Sequence, residues 1–132
     1  MTAESVVAEG RRESILSKIT DIDDWLDSGV SDRYQREPLA QDWARVAKVN
    51  EEAGEAIEAM IAWTGQNPRK PQRDEARGEL LDELADVALT AILGMQHFVK
   101  DADATMWIVW KRLFRLHDRM REALARLGGE QG

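Results

Sequence analysis

The fold is decided by one central stretch, residues 48–88, which reads KVNEEAGEAIEAMIAWTGQNPRKPQRDEARGELLDELADVA. Apolar residues recur at helical spacing on both sides of residues 65–73, a short basic connection that begins with a glycine typical of a helix end. Two helices joined by so short a loop lie side by side in opposite directions. The stretch therefore predicts an antiparallel helical hairpin that bends around Arg69.

The rest of the chain is also expected to be helical, because no segment alternates apolar and polar residues long enough to predict a strand. The four expected helices run from about Ala3 to Asp27, Pro38 to Thr64, Asp74 to Val99 and Asp101 to Leu127. A polar segment, residues 30–37, connects the first two. We therefore predict a single all-α domain over residues 1–132, a bundle of four main helices with the hairpin at its centre.

The last predicted helix carries a seam of large side chains at alternating steps of four and three. Its members are Met106, Trp110, Leu113, His117, Met120, Leu124 and Leu127. Trp107 and Phe114 widen the seam, so we expect one side in the bundle core and the other against a second subunit. We expect His117 to be a hydrogen-bonded core residue, and we predict a homodimer or homotetramer.

Composition excludes several classes of protein. The chain has 132 residues and no cysteine, which rules out a disulfide framework and thiolate zinc sites. A net charge of −7 and a pI near 4.9 argue against nucleic-acid binding. The longest stretch without charge, residues 87–99, is shorter than the ~20 residues of a membrane span. The first residues lack the features of a signal peptide, so we expect no membrane partner and a cytoplasmic location.

Two pairs of acids on the hairpin carry the candidate chemistry. Glu52 and Glu55 on one helix, and Glu83 and Asp86 on the next, are each spaced i, i+3, so both members of a pair can reach one point. Arg69 is the sequence midpoint of Glu55 and Glu83, and also of Glu52 and Asp86. The two pairs are therefore expected to face each other at matching heights. Four such carboxylates form a cage.

The residues around the first acid pair fit a site better than a solvated surface. The second helix has one apolar side, formed by Val46, Val49, Ala53, Ile57 and Met60, and the glutamates lie next to it. Gly54 is unfavourable inside a helix by about 1 kcal/mol relative to alanine, which indicates a close approach to the backbone there.

Four converging carboxylates repel one another, so a cage of this kind needs cations. Oxygen ligands without thiolate or adjacent histidine favour Mg²⁺ or Mn²⁺. Di-iron carboxylate bundles use Glu-x-x-His pairs, and neither pair here contains histidine, so a di-iron carrier is disfavoured. From the spacing alone, ordinary acids on amphipathic helices remain an equal alternative.

The motif resembles the Glu-x-x-Glu…Glu-x-x-Asp signature of the MazG-like all-α nucleoside triphosphate pyrophosphohydrolases. The similarity covers about residues 43–98 and rests on KVNEEAGEAIEA at 48–59 and ELADVA at 83–88. The resemblance implies a Mg²⁺-dependent hydrolase that cleaves a nucleoside triphosphate to the monophosphate and pyrophosphate. It places the metal ligands at Glu52, Glu55, Glu83 and Asp86. It also implies a central hairpin that binds metal, with Mn²⁺ as a substitute for Mg²⁺.

Further residues are candidates for catalysis and substrate binding. Glu51 is either a solvated residue or the group that binds a metal or accepts the proton of the attacking water. Lys48 either contacts phosphate or forms an i, i+4 ion pair with Glu52. The connection supplies three positive charges, from Arg69, Lys70 and Arg73. Either one of them contacts phosphate or the loop is merely a solvated one. Trp63 either packs in the core or stacks on a base.

The sequence leaves two alternatives open. His97 either lines the cleft or is a partly buried structural histidine. The whole domain is either an enzyme or a catalytically silent helical module of the same fold that serves as a binding or regulatory partner.

Overall fold

The structure is a computed structural model that describes residues 1–29 and 37–129. Over these two ranges the chain contains four α-helices and no strand. The helices are α1 (Ala3–Ser28), α2 (Pro38–Thr64), α3 (Ala76–Val99) and α4 (Ala102–Gly129). The predicted all-α bundle of four main helices is thus confirmed. The connection expected at residues 30–37 lies, except for Glu37, outside the described residues.

The helix ends follow signals in the local sequence. The Thr2 hydroxyl oxygen caps α1 by accepting a hydrogen bond from the Ser5 backbone N–H at 3.2 Å. Pro38 is the first residue of α2, where its missing N–H costs nothing. Gly65 ends α2 with φ of 68°, and a Cβ at this position would lie 3.1 Å from the Gln72 Cβ. Only glycine meets both conditions without strain, so the bend into the hairpin loop is fixed by this residue.

A tight corner joins α3 to α4. Lys100 follows α3 in the left-handed conformation, with φ of 58°, and its backbone N–H donates to the Gln96 carbonyl at 2.8 Å. The buried Thr105 hydroxyl donates to the Gln96 side-chain oxygen at 2.8 Å, and the Asp101 carboxylate accepts from the Ala104 N–H. These bonds satisfy the polar groups at the corner and hold the start of α4 against the end of α3.

The hairpin of α2 and α3 is the most closely packed part of the described chain. Its interface is made of small residues, including buried Ala56 and Ala59 on α2 and Gly94 on α3. A Cβ on Gly94 would lie 3.7 Å from the Arg45 carbonyl oxygen, which shows how closely the two backbones approach. The small side chains therefore allow the acids of both helices to meet.

Several large apolar side chains of α2 lie outside this interface. Ile57 is 61 % exposed and Val46 and Met60 are also exposed, whereas Glu52 is only 8 % exposed. The face of α2 that packs against α3 is therefore the one that carries Glu52. A Cβ on Gly54 would meet nothing within 4 Å, so the close approach expected at that glycine is absent from the single chain.

Within residues 1–29 and 37–129, helix α4 is packed against the other helices only at its beginning. Ala102 and Thr105 are buried, and Asp103 forms an ion pair with Arg12 of α1. Beyond them α4 exposes nine large apolar side chains, namely Trp107, Ile108, Trp110, Leu113, Phe114, Leu116, Met120, Leu124 and Leu127. His117 is exposed too. The prediction that it lies in the core is wrong for the single chain, because none of the described helices covers this part of α4.

None of the helices in residues 1–29 and 37–129 is long and apolar enough to cross a membrane.

Candidate functional site

The hairpin brings together three of the four acids that the sequence analysis assigned as metal ligands. One carboxylate oxygen from each of Glu52, Glu55 and Glu83 lies within 4.8 Å of the other two. Glu52 and Glu55 are one turn apart on α2, and Glu83 reaches them from α3 across the alanine-lined interface. The three carboxylates therefore define an acidic cluster at the middle of the hairpin.

Asp86 is not a member of this cluster of three. It lies exposed one turn after Glu83 on α3, and its carbonyl accepts a hydrogen bond from the Thr90 hydroxyl at 2.8 Å. Its negative charge is nevertheless close enough to act on the Glu83 carboxyl. The structure thus places Asp86 beside the cluster rather than in it.

The cluster disfavours the ionised form of Glu83. Desolvation is the largest cause that raises the pKa of this carboxyl above its usual value, followed by the negative charges of Glu55 and Asp86. A hydrogen bond with Glu55 and the charge of Glu52 act in the same direction. A cation bound among these oxygens would relieve the repulsion, so the donor set fits a hard divalent metal ion such as Mg²⁺.

Lys48 provides partial neutralisation at one end of the cluster. Its ammonium lies 2.7 Å from Glu52 Oε1 and 3.0 Å from Glu51 Oε1. The hydrogen bonds to Glu52 and Glu51 raise the pKa of Lys48 above its ordinary value. Of the two contacts predicted for Lys48, the described structure contains the ion pair with Glu52. Glu51 itself is exposed and points its carboxylate toward Lys48.

A cleft of about 620 Å³ opens beside the acidic cluster. It is lined by Glu55, Glu58, Ala59, Ile61, Ala62, Asn67, Lys70, Pro71, Arg73, Glu79 and Glu83. Acids from the two helices meet basic residues of the loop within this one cleft. An anionic ligand that carries a divalent cation matches such a lining, because the cation faces the acids and the anion faces the bases.

The basic loop is held in place by the hairpin. The Arg73 N–H donates to the Ala62 carbonyl at 3.0 Å, and the Arg69 N–H donates to the Asn67 side chain at 3.0 Å. The Arg73 guanidinium donates two hydrogen bonds to Glu79, at 3.0 and 2.6 Å, and this contact raises the pKa of Arg73. Lys70 lines the cleft, whereas Arg69 is exposed and does not line it.

Three residues of the cleft were missed by sequence reasoning. Glu58 continues the i, i+3 series from Glu55, and this spacing alone was a usable signal. Glu79 lies one turn before Glu83 on α3, and this spacing was a usable signal in the same way. Asn67 has no such signal, because its place depends on how the loop folds back over α2.

His97 is remote from the acidic cluster. Its side chain is 10 % exposed, and its Nε2 lies 2.7 Å from Asp42 Oδ1. The described structure therefore contains the partly buried histidine of the two predicted alternatives. Its Nδ1 belongs to a second group, with Asp23 and Asp27 of α1, that the sequence analysis did not anticipate. The i, i+4 spacing of these two aspartates was the available signal.

Trp63, at the end of α2, is half-buried and does not line the cleft.

Comparison of the chain with models of known protein families, with curated proteins and with solved structures finds no match.

Proposed function

We propose that the chain is a Mg²⁺-dependent nucleoside triphosphate pyrophosphohydrolase that releases a nucleoside monophosphate and pyrophosphate. The observation that carries the proposal is the convergence of Glu52, Glu55 and Glu83 beside a cleft that also contains Lys70 and Arg73. A triphosphate bound with its metal needs carboxylates on one side and positive charge on the other. The motif resemblance described above supports the same activity.

In this proposal the metal is held by Glu52, Glu55 and Glu83, with Asp86 as the predicted fourth ligand. When bound, Mg²⁺ supplies charge neutralisation for the phosphates and lowers the pKa of water. The chain's own residues orient the reacting groups. Lys70 binds and positions the phosphate chain, Arg69 adds positive charge from the same loop, and Glu51 accepts the proton of the attacking water.

Lys48 has two roles in the proposed site. Its ammonium holds Glu51 and Glu52 in fixed positions through contacts of 3.0 and 2.7 Å. A divalent cation held by Glu52 would neutralise that carboxylate and leave the ammonium free to contact phosphate. The proposal therefore accommodates both the ion pair in the structure and the phosphate contact predicted from sequence.

A screen of ribo- and deoxyribonucleoside triphosphates with a pyrophosphate assay tests the proposed activity. We expect at least one triphosphate to yield pyrophosphate and the monophosphate in equal amounts, with Mg²⁺ and, as a substitute, Mn²⁺. Omission of the metal should abolish the reaction. No turnover of any triphosphate, together with no calorimetric binding of Mn²⁺, would instead favour a silent binding module. Iron in the purified protein would favour a di-iron carrier.

We also propose that a second copy of the chain covers the exposed apolar side of α4. Helix α4 contains six basic and three acidic residues, whereas α1 contains three basic and seven acidic residues and also exposes large apolar side chains. The two helices are therefore complementary in charge, and an α1 from another copy fits α4 better than a second α4 does. The expected assembly is a homodimer or a homotetramer.

Two substitutions on α4, Leu113→Glu and Leu124→Glu, test this assembly. Both side chains are exposed in the single chain, so the variants are expected to fold. Sedimentation velocity should give the wild type a mass at least twice the 15.0 kDa of one chain, and the double variant the mass of one chain. Leu39→Glu, at an equally exposed leucine on α2, is the control. A monomeric wild type would refute the assembly.

A further inference from the structure

We propose a second metal site, outside the acidic cluster, formed by Asp23 and Asp27 of α1 and His97 of α3 and selective for Zn²⁺ over Mg²⁺. One possible ligand atom from each residue lies within 4.8 Å of the other two. The group contains an imidazole nitrogen as well as carboxylate oxygens, which is the donor set that Zn²⁺ favours and Mg²⁺ does not.

The histidine supplies the observation that points to a ligand. Its side chain is nine-tenths buried, and its Nδ1 is buried without a hydrogen-bond partner. That nitrogen faces Asp27 Oδ1 at 3.8 Å, too far for a hydrogen bond. A buried ring nitrogen without a partner is costly, and a metal ion between it and the two aspartates would satisfy it.

The other ring nitrogen of His97 is hydrogen-bonded to a carboxylate, as is usual for histidines that bind metal ions. Nε2 lies 2.7 Å from Asp42 Oδ1, so this nitrogen carries the proton that the hydrogen bond needs. With the proton on Nε2, a cation in the group would be bound through Nδ1, the ring nitrogen that faces Asp27. A carboxylate behind a histidine fixes its tautomer and makes it a better metal ligand.

Asp23 adds a second unsatisfied ligand atom. Its side chain is 2 % exposed, and its Oδ1 is buried without a hydrogen-bond partner, with Arg45 Nη2 at 3.4 Å from it. The Oδ2 atoms of Asp23 and Asp27 both lie 2.9 Å from the Lys100 ammonium. Hydrogen bonds from Lys100 and Arg45, acting against the effect of burial, lower the pKa of Asp27, which is therefore ionised at neutral pH.

Charge balance also favours a divalent cation. The carboxylates of Asp23, Asp27 and Asp42 carry three negative charges, whereas Lys100 and Arg45 carry two positive ones. The three carboxylates thus exceed the two cationic side chains by one negative charge. Lys100 is 49 % exposed and can turn into water, and a divalent cation in its place neutralises the group completely.

The remaining adjustment is small. Tetrahedral zinc with bonds of about 2.0–2.2 Å would hold its ligands about 3.3 Å apart, so side-chain rotations that draw the three atoms together by no more than about 1.5 Å would complete the group. Because the ligands come from α1 and α3, the ion would tie the N-terminal helix to the hairpin. The site would thus stabilise the fold, independently of any nucleotide chemistry.

The test is calorimetric titration of the full chain with Zn²⁺ in an excess of Mg²⁺, added to saturate the acidic cluster if it binds metal as the proposed function requires. We expect Zn²⁺ to bind the wild type and to raise its melting temperature. His97→Ala should weaken Zn²⁺ binding about 100-fold and Asp42→Asn about tenfold, since even supporting groups contribute this much. His117→Ala, at an exposed histidine of α4, is the matched control and should bind like the wild type.

Lys100→Met gives a result that distinguishes a metal site from an ion-pair network. Removal of the competing ammonium should tighten Zn²⁺ binding about tenfold, although it removes two ion pairs. Imidazole NMR signals of the wild type provide a readout that needs no variant, since Zn²⁺ should shift those of His97 and not those of His117. The proposal is overturned if Zn²⁺ does not bind in excess Mg²⁺, if His97→Ala binds it normally, or if Lys100→Met gains no affinity.

Discussion

Replacing Glu55 with glutamine is expected to lower Mg²⁺-dependent pyrophosphate release by about 100-fold or more without loss of helix content. Loss of a group that merely orients a metal ligand already costs about 10- to 100-fold in metal affinity or activity, and Glu55 is itself a proposed ligand. The substitution keeps the size of the side chain and removes only its charge. Pyrophosphate release gives the activity, and circular dichroism gives the helix content. Glu83→Gln should behave in the same way.

Asp82→Asn is the matched control for both variants. Asp82 precedes Glu83 on α3 and is exposed, but it is not part of the acidic cluster. Its substitution should leave activity within about twofold of the wild type. Normal turnover by Glu55→Gln would exclude the proposed cluster as the catalytic centre.

Without metal, Glu83→Gln should also raise the melting temperature at neutral pH, because a carboxyl with a raised pKa opposes folding once it is ionised.

Asp23→Ala is expected to lower the free energy of unfolding by about 3 kcal/mol when a chelator keeps the chain free of metal. The carboxylate is almost fully buried and lies 2.9 Å from the Lys100 ammonium and 3.4 Å from the Arg45 guanidinium. Its removal leaves Arg45 partly buried with fewer counter-charges. We expect the lower end of the usual range for broken buried pairs, because Lys100 is half exposed and regains water. Urea unfolding at a fixed protein concentration measures the loss.

Asp24→Ala is the control, since Asp24 is the next residue of α1 and is exposed. We expect it to change the free energy of unfolding by no more than about 0.5 kcal/mol. If Asp23→Ala were as stable as Asp24→Ala, the ion pairs between α1, α2 and α3 would contribute nothing to stability. The packing of α1 against the bundle would then rest on apolar contacts such as that of Ile19.

The helices and the hairpin were predictable from the sequence because their signals are local. Pro38 begins α2 and Gly65 ends it, and both residues act through their own backbone geometry. The midpoint at Arg69 then relates Glu55 to Glu83 across the loop, since the rise per residue is the same in both helices. The structure brings those two carboxylates together with Glu52.

Rotation about the helix axis was less predictable. A periodic pattern identifies an apolar side, but it does not tell which partner covers that side. Ile57 and Met60 were part of the large apolar side, yet they are exposed, and the smaller Ala56 and Ala59 form the contact with α3. Small residues occupy this contact because they permit the close approach of two helices.

The second polar group was not predictable, because it depends on contacts between helices far apart in the chain. Asp23, His97 and Lys100 meet only through the packing of α1 against α3, which spacing within one helix does not encode. Lys100 also needs the left-handed backbone at the α3–α4 corner to direct its ammonium toward α1. The residues next to Lys100 in the sequence do not indicate that conformation.

The uncovered half of α4 has a consequence for every stability measurement on this protein. Any contact that covers Trp110, Leu113 and Phe114 adds to folding stability by mass action, so the gain depends on how many chains are present. Where such a contact forms, dilution lowers the stability of the folded chain. A melting temperature for this chain is meaningful only beside the concentration at which it was recorded.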